Sequence, residues 1–512
     1  MKNKEQTAYG DWQTNYPLAL SICKMLKAQG INPNIILEPT CGKGHFILAA
    51  LEVFDNLEEI YGIEIQAHYL KHLKTELEQK KNSSVSVHLT CGNIFSFSFS
   101  ALKKNLSNKK ILILGNPPWV TNSKLTSIGS QNTPDKANFL NNKGIDALTG
   151  KGTFDIGEAV LRQMLDLLCH GEGHLALLLK NSVIRNIVQT QHNIPYRISH
   201  INQYQIDADK EFGAAVAASL LVTTTGNPAA TQCSVYDFYS GKRIKSYGWI
   251  QGHFVADTIT YSKFREIDGK SPLTWRSGVK HDCSKIMELT YDGDLFYNGL
   301  GEKVDIESEC IYPLLKSSDI SARQVTKLRR YLILTQKHTT DDTHSLRITH
   351  PKMYSYLIRH SDFLDKRSSR IYRSRPRFCL FGIGDYSFAP YKVVVSGLYK
   401  HMQFALSLST DKPVMADDTC YILGFENKKD AEITHKILNH PYTQTFIRSI
   451  LFDDAKRIIS KELLSRIDLI KAAEIIGANE LNIPTSELNR YINMLRSCSA
   501  GDTKQLHLNL SA

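Results

Sequence analysis

The sequence predicts an α/β fold, with a Rossmann-like domain on a mainly parallel sheet followed by a C-terminal α+β domain. Over residues 1–225, short apolar runs typical of buried strands alternate with helical stretches, which is the pattern of a parallel sheet covered on both faces. A glycine-containing turn follows the first of these runs, as in nucleotide-binding units. The chain has 512 residues, more than one core usually serves, so at least two domains are expected.

The first predicted strand, residues 35–37, leads into a turn and then a helix. The turn has the sequence Glu38-Pro39-Thr40-Cys41-Gly42-Lys43-Gly44-His45-Phe46, and an apolar run at 47–51 follows it. Glycines at such a turn let the backbone approach a ligand closely. Gly42 and Gly44 alone do not distinguish a nucleotide site from an ordinary tight turn.

The second predicted strand, residues 60–65, carries an acid near its end. Glu64 comes twenty positions after Gly44. At that spacing a carboxylate can accept hydrogen bonds from the ribose hydroxyls of a nucleotide. An ordinary charge at the end of a strand is the alternative, and both interpretations stay open from the sequence.

Asn116-Pro117-Pro118-Trp119 closes the apolar run at 111–115 and is the most informative tetrapeptide of the chain. Open α/β sheets bind ligands at the ends of their strands. The Asn116 side-chain oxygen and the Pro117 carbonyl, whose direction the next proline restricts, are two acceptors, and Trp119 adds a flat apolar face. Such a set can hold a planar ring that carries an amino group. A turn that simply ends a strand is the alternative.

These segments together resemble the γ class of N6-adenine DNA methyltransferases of restriction-modification systems. In that family the S-adenosylmethionine motif comes first, an Asn-Pro-Pro-aromatic motif second and a target-recognition domain last, and the order here is the same. Gly10-Asp11-Trp12-Gln13-Thr14 also looks like the family's N-terminal cofactor-lid segment. The resemblance implies a methyltransferase domain over 1–225, a connecting region over 226–275 and a target-recognition domain over 276–512.

The resemblance further implies methyl transfer from S-adenosylmethionine to the N6 amino group of an adenine that is flipped out of duplex DNA. Asn116 and the Pro117 carbonyl would accept from that amino group, while Trp119 and Phe212 would pack on opposite faces of the base, with Pro118 in the same motif. The residues implied at the cofactor are Thr14, Glu38, Pro39, Cys41, Gly42, Gly44, Glu64, Ile65, Asn93, Ile94 and Asn116. Asn93 departs from the acid that the family usually has there, although its amide oxygen can accept the same hydrogen bond.

Basic residues are concentrated in one segment of the C-terminal part. The chain carries 62 Lys and Arg against 51 Asp and Glu, a net charge of +11. A basic segment is typical of a polyanion partner, although many such runs are only solvated faces. The densest run contains Lys366, Arg367, Arg370, Arg373, Arg375 and Arg377. Because it lies where the family has its recognition domain, Arg370, Arg373, Arg375 and Arg377 are predicted to contact DNA.

The other C-terminal segments predict a mixed domain. Residues 274–282 and 381–391 are rich in glycine and aromatic side chains, which favours strands and loops over helices. Residues 431–438, 444–451 and 461–469 have apolar side chains at helical spacing. The expected C-terminal fold is therefore α+β.

Other function classes share some of these sequence features. None of the 16 prolines precedes a cysteine, which excludes cytosine-carbon methylation because that reaction needs a Pro-Cys nucleophile. Amino methyltransferases that act on RNA, cytosine or glutamine use related tetrapeptides, but the long C-terminal part favours duplex recognition over glutamine methylation. Asp418 with Glu426-Asn427-Lys428 resembles the metal site of some nucleases, so cleavage by a fused or partner endonuclease is the second hypothesis.

The expected partners follow from the same features. They are S-adenosylmethionine, double-stranded DNA with a specific recognition sequence and, in a restriction-modification system, a separate cognate restriction endonuclease. The 10 cysteines are scattered without the spacing of a zinc site, so no metal is expected. No apolar run reaches about 18 residues and no signal peptide begins the sequence, so a cytoplasmic protein without membrane contact is predicted.

Overall fold

The apolar runs of the N-terminal part form one ten-stranded sheet. The computed structural model describes residues 12–79, 84–105, 109–120, 155–169, 171–213, 216–320, 324–325, 328–373, 375–399, 402–408, 411–452 and 458–505. The chain divides into two units, Met1–Ile259 and Thr260–Ala512. Within the described residues, no helix combines the length and the apolar character needed to cross a membrane.

The strands of the N-terminal unit are β1 (Ile35–Glu38), β2 (Glu59–Glu64), β3 (Ser86–Cys91), β4 (Ile111–Gly115), β5 (Gly173–Lys180), β6 (Ile198–Ile206), β7 (Ala218–Thr225), β8 (Gln232–Asp237), β9 (Arg243–Ile250) and β10 (His253–Val255). They lie in the order β10-β9-β8-β6-β7-β5-β4-β1-β2-β3. Strands β1 to β5 pair in parallel, and β7 runs antiparallel to β5 and β6. The order reverses between β1 and β4, and open α/β sheets bind ligands at the carboxyl ends of strands beside such a reversal.

The helices of the N-terminal unit are α1 (Tyr16–Ala28), α2 (His45–Val53), α3 (Ala67–Gln79), α4 (Ser100–Asn105), α5 (Ile156–Leu168), α6 (Asn181–Thr190) and α7 (Ala208–Phe212), and α8 (Thr258–Phe264) lies at the boundary of the two units. Every residue of β1 and β4 is buried, as expected for strands covered on both faces. The predicted Rossmann-like α/β fold is therefore confirmed.

The end of the N-terminal unit differs from the predicted boundary at residue 225. Within the expected connecting region, 226–275, strands β8, β9 and β10 continue the same sheet, with β8 parallel to β6 and antiparallel to β9. Cys233, Val235 and Tyr247 are buried in this extension. Gly226-Asn227-Pro228 lies between β7 and β8, so the sheet continues beyond this segment. The assignment of a catalytic and a recognition domain remains a prediction.

The described residues of the C-terminal unit form two sheets. Their strands are β11 (Arg276–Ser277), β12 (Glu288–Tyr291), β13 (Phe296–Asn298), β14 (Lys303–Val304), β15 (Ile311–Leu315), β16 (Gln324–Val325), β17 (Arg330–Ile333), β18 (Tyr391–Ser396), β19 (Phe404–Leu408), β20 (Met415–Ala416) and β21 (Cys420–Phe425). One sheet has the order β11-β21-β18-β19-β16 and the other β14-β13-β12-β17-β15-β20. With its helices, this unit has the α+β character that the sequence predicts.

The helices of the C-terminal unit are α9 (Ser284–Met287), α10 (Leu346–Thr349), α11 (Pro351–Arg359), α12 (Ser361–Asp365), α13 (Asp385–Phe388), α14 (Lys428–Asn439), α15 (Pro441–Ile450), α16 (Lys461–Leu464), α17 (Leu469–Leu481) and α18 (Thr485–Gln505). Helices α14 and α15 contain the predicted segment 431–438 and nearly all of 444–451. The prediction of a single helix over 461–469 is wrong. Helix α16 ends at Leu464, and Asp468 caps the start of α17, because its side chain accepts from the amides of Ile470 and Lys471.

Candidate active site

A pocket lies at the carboxyl ends of β1, β2 and β4, where the strand order reverses. Open α/β sheets bind ligands at this position. The pocket is lined by residues of the glycine turn, of the segments at the ends of β2 and β4, and of the segment before α1. They are Trp12, Gln13, Thr14, Glu38, Pro39, Thr40, Cys41, Gly42, His45, Phe46, Ile63, Glu64, Ile65, Gln66, Gly92, Ile94, Asn116, Pro118 and Ile156.

The glycine turn between β1 and α2 has a backbone that only glycine adopts readily. Gly42 and Gly44 have φ angles of +50° and +77°, in the left-handed region. A Cβ at Gly42 would overlap the Gln13 side chain, and one at Gly44 would overlap Leu73. Glycine at both positions therefore fits the shape of this turn, and Gly42 lines the pocket.

Glu64 fastens this turn to the end of β2. Its Oε2 accepts from the Gly42 amide at 2.9 Å, and its Oε1 accepts from the Gln66 amide at 2.8 Å. The residue is only 8% exposed and lines the pocket. It is therefore more than an ordinary charge at a strand end. Each carboxylate oxygen has a further lone pair that can accept from a ligand hydroxyl.

The segment Trp12–Thr14 lies over the glycine turn. Gln13 Oε1 accepts from the Lys43 amide at 3.1 Å, and the Thr14 carbonyl lies 2.6 Å from His45 Nδ1. Thr14 itself is buried. These contacts join the segment to both ends of the turn, as the predicted cofactor lid would require.

Asn116 is held by that same segment through its amide nitrogen. Nδ2 donates to the Trp12 carbonyl at 2.7 Å and to Thr14 Oγ1 at 3.2 Å. A carbonyl can only accept, so this contact fixes which side of the amide carries the oxygen. Asn116 Oδ1 is buried and has no hydrogen-bond partner among the described residues. The site thus holds a preoriented acceptor that lacks a donor.

Glu38 is a second buried acceptor beside the pocket. It is 3% exposed, and its Oε2 has no hydrogen-bond partner among the described residues. Burial raises the pKa of the Glu38 carboxyl well above its ordinary value, and the nearby Glu64 charge raises it further. Buried polar atoms without partners are rare, so two of them at one pocket indicate a ligand that donates hydrogen bonds or carries positive charge.

The two predicted aromatic walls touch each other. Trp119 Nε1 donates to the Leu178 carbonyl at 3.2 Å, and the centroids of the Trp119 and Phe212 rings are 5.0 Å apart at an interplanar angle of 71°. A base between two parallel rings needs about 7 Å between their planes, twice a contact distance of about 3.5 Å. Packing of these rings on opposite faces of a base remains a prediction, and it requires the Phe212 ring to move.

The remaining predicted cofactor residues are mostly at the pocket. Pro39, Cys41, Ile65 and Ile94 line it, and Gly44 lies in the glycine turn. Asn93 is absent from the described lining residues. Its Oδ1 accepts from the Phe95 amide at 3.0 Å, so it caps the short helical turn Ile94–Ser96. A hydrogen bond from Asn93 to the adenine amino group of a cofactor therefore stays a prediction.

Sequence reasoning missed several lining residues. His45 directly follows Gly44 of the glycine turn. Trp12 and Gln13 directly precede Thr14 in the segment that resembles the family's cofactor lid. Their position next to predicted site residues could therefore have identified them. Gly10 and Asp11 lie outside the described residues. Ile156 comes from α5, whose capping residue Asp155 pairs with Lys180 at 2.5 Å.

In the C-terminal unit, the predicted DNA-binding arginines are not equivalent. Arg377 pairs with Asp365 through two contacts of 3.1 and 2.5 Å, and this pairing lowers the pKa of Asp365. Arg373 and Arg375 are exposed. The side chain of Arg370 lies outside the described residues. Arg373 and Arg375 are therefore better placed than Arg377 to contact a phosphate.

The neighbouring Arg367 has a structural role. Its guanidinium lies 3.7 Å from the Tyr372 ring centroid and donates to the carbonyls of Leu364 and Cys379. These contacts hold the turn that carries the basic run.

The charged residues of the nuclease hypothesis have ion-pair partners in the structure. Lys280 Nζ lies 3.6 Å from Asp418, and Lys428 pairs with Glu432. No cluster of three or more His, Cys, Asp or Glu side chains that could hold a metal occurs in the part of the chain that the structure describes. Cleavage by a fused or partner endonuclease stays the second hypothesis.

Comparison with known proteins gives one close relative. The Type II methyltransferase M.NspV of Nostoc sp. is 38% identical over 476 residues, which cover 92% of this chain and 98% of that protein. No protein-family model matches the chain. The solved structure of the Type IIL restriction-modification enzyme MmeI in complex with DNA covers 97% of this chain and 73% of its own, at 12% identity and a TM-score of 0.49. The type IIG restriction endonuclease BpuSI covers 95% and 65%, at 11% identity and a TM-score of 0.34.

The similarity to M.NspV extends over nearly the full length of both chains. It confirms the resemblance to methyltransferases of restriction-modification systems. The chain belongs to the Type II methyltransferases.

Proposed function

We propose that this chain is the modification enzyme of a restriction-modification system and transfers a methyl group from S-adenosylmethionine to the N6 amino group of adenine in duplex DNA. The observation that carries the proposal is Asn116 Oδ1, a buried acceptor that is oriented by two hydrogen bonds and has no described donor. An exocyclic amine supplies the missing donor. The order of motifs along the chain supports the same assignment.

The pocket suits the proposed cofactor. S-adenosylmethionine carries an electrophilic methyl group on a sulfonium centre and supplies that group when it is bound. The glycine turn offers backbone to a close-packed ligand, and Glu64 offers acceptors for ribose hydroxyls. The partnerless Glu38 oxygen suits a cationic or hydrogen-bond-donating part of the ligand. Ile65 and Ile94 provide apolar lining.

Asn116 and Pro117 have a direct chemical task in this reaction. The lone pair of the adenine amino nitrogen is delocalised into the ring, so the nitrogen is a poor nucleophile. Acceptors at Asn116 Oδ1 and the Pro117 carbonyl bind its two protons and favour a tetrahedral nitrogen with a localised lone pair. No covalent bond to the protein is needed. Holding the reacting atoms in line at contact distance provides the rest of the acceleration.

The target base must leave the duplex, because stacking and pairing hide its amino group. The Trp119 edge is anchored to the Leu178 carbonyl, so Trp119 is a fixed wall for an extruded base. Phe212 lies on a five-residue helix and is the wall that moves. The C-terminal unit then provides duplex recognition, with Arg373 and Arg375 on phosphates.

The proposal is tested by identifying the modified residue. The purified chain is incubated with labelled S-adenosylmethionine and equal amounts of mixed duplex DNA, RNA and protein, and each product is digested for mass spectrometry. N6-methyladenine from the duplex is expected, and the Asn116→Ala variant should lose it. N4-methylcytosine, methylated RNA or methylglutamine as the main product would refute the assignment. The cytoplasmic location, predicted from the sequence, and the cognate endonuclease, implied by the family resemblance, both stay predictions.

A further inference from the structure

Helix α7, which carries Phe212, is too short to be stable by itself. It has five residues, and isolated helices below about 12 residues are marginal in water. Asp207 caps its start by accepting from the Lys210 amide at 3.1 Å, and Gly213, at a φ of +64°, ends it. The position of the Phe212 ring therefore depends on what holds this helix to its surroundings.

Tyr239, in the turn after β8, contacts both ends of the helix. Its hydroxyl accepts from the Asp207 amide at 3.3 Å and donates to Glu211 Oε1 at 3.0 Å. Lys210 lies over the Tyr239 ring, with its Nζ 5.2 Å from the ring centroid. The Tyr239 side chain thus contacts both ends of the helix and donates to one of the two Glu211 oxygens.

The second Glu211 oxygen reaches the segment before α1. Asn15 Nδ2 donates to Glu211 Oε2 at 3.2 Å, while Asn15 Oδ1 accepts from the Leu18 amide at 2.8 Å and caps α1. The residue before Asn15 is Thr14, whose Oγ1 accepts from the Asn116 amide. Glu211 therefore connects the Phe212 helix to the segment that orients the Asn116 acceptor.

We propose that Glu211 is a positioning residue for the target base, because it holds the backbone of helix α7 at a set distance from Asn116 through Asn15 and Tyr239, while the Phe212 ring turns on its side-chain bonds to admit the base. This inference rests on the proposed function, since it assigns Phe212 to the pocket wall. A surface carboxylate with a purely solvating role would not place its two oxygens on partners 196 and 28 positions away in the chain. The pair of contacts defines where one wall of the base pocket stands relative to the acceptor of the amino group.

The expected consequence separates methyl transfer from cofactor binding. Glu211 does not line the cofactor pocket, so its loss should leave S-adenosylmethionine binding nearly unchanged. A displaced wall lets the base sample unproductive positions, and misplacement of about 1 Å can slow a reaction by about 100-fold. Because Glu211 is half-buried and its contacts are partly hydrated, the expected loss in kcat for Glu211→Ala is smaller, about tenfold.

The test uses the full chain and four variants. Asp209→Asn is the matched control, since it removes one acid from the exposed side of the same helix. Asn15→Asp keeps the cap of α1, because Asp and Asn cap equally well, but it replaces the donor to Glu211 with a like charge. Combining Asn15→Asp with Glu211→Gln restores this hydrogen bond with its direction reversed. The new Gln amide nitrogen donates to the new Asp carboxylate, and the Gln oxygen still accepts from the Tyr239 hydroxyl. Hydrogen exchange over residues 205–213 and the kcat and KM values for a duplex carrying the mapped methylation motif are measured for each.

Glu211→Ala and Asn15→Asp should both raise exchange in 205–213 and lower kcat by about tenfold, with the KM for S-adenosylmethionine within about twofold. The combined variant should recover most of both losses, and Asp209→Asn should behave like the parent. Equal exchange in Glu211→Ala and Asp209→Asn overturns the proposal, as does raised exchange with an unchanged kcat. If the parent methylates no adenine, the proposed function fails first, and hydrogen exchange still shows whether Glu211 holds the helix.

Discussion

The pocket of the N-terminal unit and the basic run of the C-terminal unit hold their functional side chains in opposite ways. In the pocket, Glu64, Glu38 and the Asn116 Oδ1 atom are shielded from solvent, and hydrogen bonds fix Asn116 and Glu64. In the basic run, Arg373 and Arg375 are exposed and Arg377 is paired with an acid of its own unit. Buried preoriented groups act strongly and individually, whereas exposed charges act weakly, additively and in a salt-dependent way. Substitutions in the two regions should therefore differ in size and in kind.

The largest effect is expected at Asn116. Asn116→Ala removes one of the two acceptors for the target amino group, and turnover should fall by about 10²–10³, as on loss of a preorganised contact elsewhere. Single-turnover methylation of duplex DNA measures this directly. Binding of S-adenosylmethionine by calorimetry is the control and should change little. Near-normal turnover would reduce Asn116 to a turn residue.

Glu64 should give the next largest effect, on the cofactor. Glu64→Ala should weaken S-adenosylmethionine binding by about 1.5–3 kcal/mol, the range for hydrogen bonds to charged groups. Since Glu64 also holds the Gly42 amide, Glu64→Gln should lose less, because it keeps one acceptor for the turn. Calorimetry on the free protein separates the two variants, and DNA affinity should be the same in both. Unchanged cofactor affinity in Glu64→Ala would show that Glu64 holds the glycine turn but does not bind the cofactor.

Glu38 should produce a pH-dependent effect on stability. Burial raises the pKa of Glu38 above its ordinary value near 4.5, so above that value the unfolded state releases a proton that the folded state keeps. The contribution of this group to stability therefore falls as pH rises from the ordinary value towards the raised one. Glu38→Gln should raise the melting temperature at pH 7 and change it little at pH 4. An equal change at both pH values would contradict a carboxyl whose pKa is raised by burial.

The smallest effects are expected in the basic run, and they should differ between neighbouring arginines. Arg375→Gln should flatten the plot of log affinity for DNA against log salt by about 0.9, the slope for one phosphate contact. Arg377→Gln should change the slope less, since Asp365 already neutralises that charge. Asp365→Asn frees Arg377 and should steepen the slope. Equal slopes for Arg375→Gln, Arg377→Gln and the parent would show that the run is a solvated face.

The location of the pocket could be predicted from the sequence, because it depends on where individual strands end. Gly42, Gly44, Glu64 and Asn116 each stand at or just after the end of an apolar run, and parallel strands bring such ends to one edge of a sheet. The prediction of a pocket there needed only chain order and spacing. The α/β fold followed from the same alternation of apolar runs.

The orientation of these groups could not be predicted, because it depends on partners far away in the chain. Trp12, which fixes the Asn116 amide, lies 104 positions earlier. The Trp119–Phe212 ring contact likewise joins two distant segments. The extension of the first sheet by β8, β9 and β10 was missed because a turn sequence does not state where the next strand pairs. Pairing of Arg377 with Asp365 was missed because a count of charges does not show which are neutralised.

The central claim is that Asn116 Oδ1 and the Pro117 carbonyl hold the amino group of an extruded adenine. A structure of the chain with its mapped duplex and a non-reactive analogue of S-adenosylmethionine tests this most directly. The adenine N6 should lie about 2.9 Å from both oxygens, a normal hydrogen-bond distance, with the Phe212 ring moved away from Trp119 to admit the base. An adenine still stacked in the duplex, or an extruded base whose amino group contacts neither oxygen, would contradict the account.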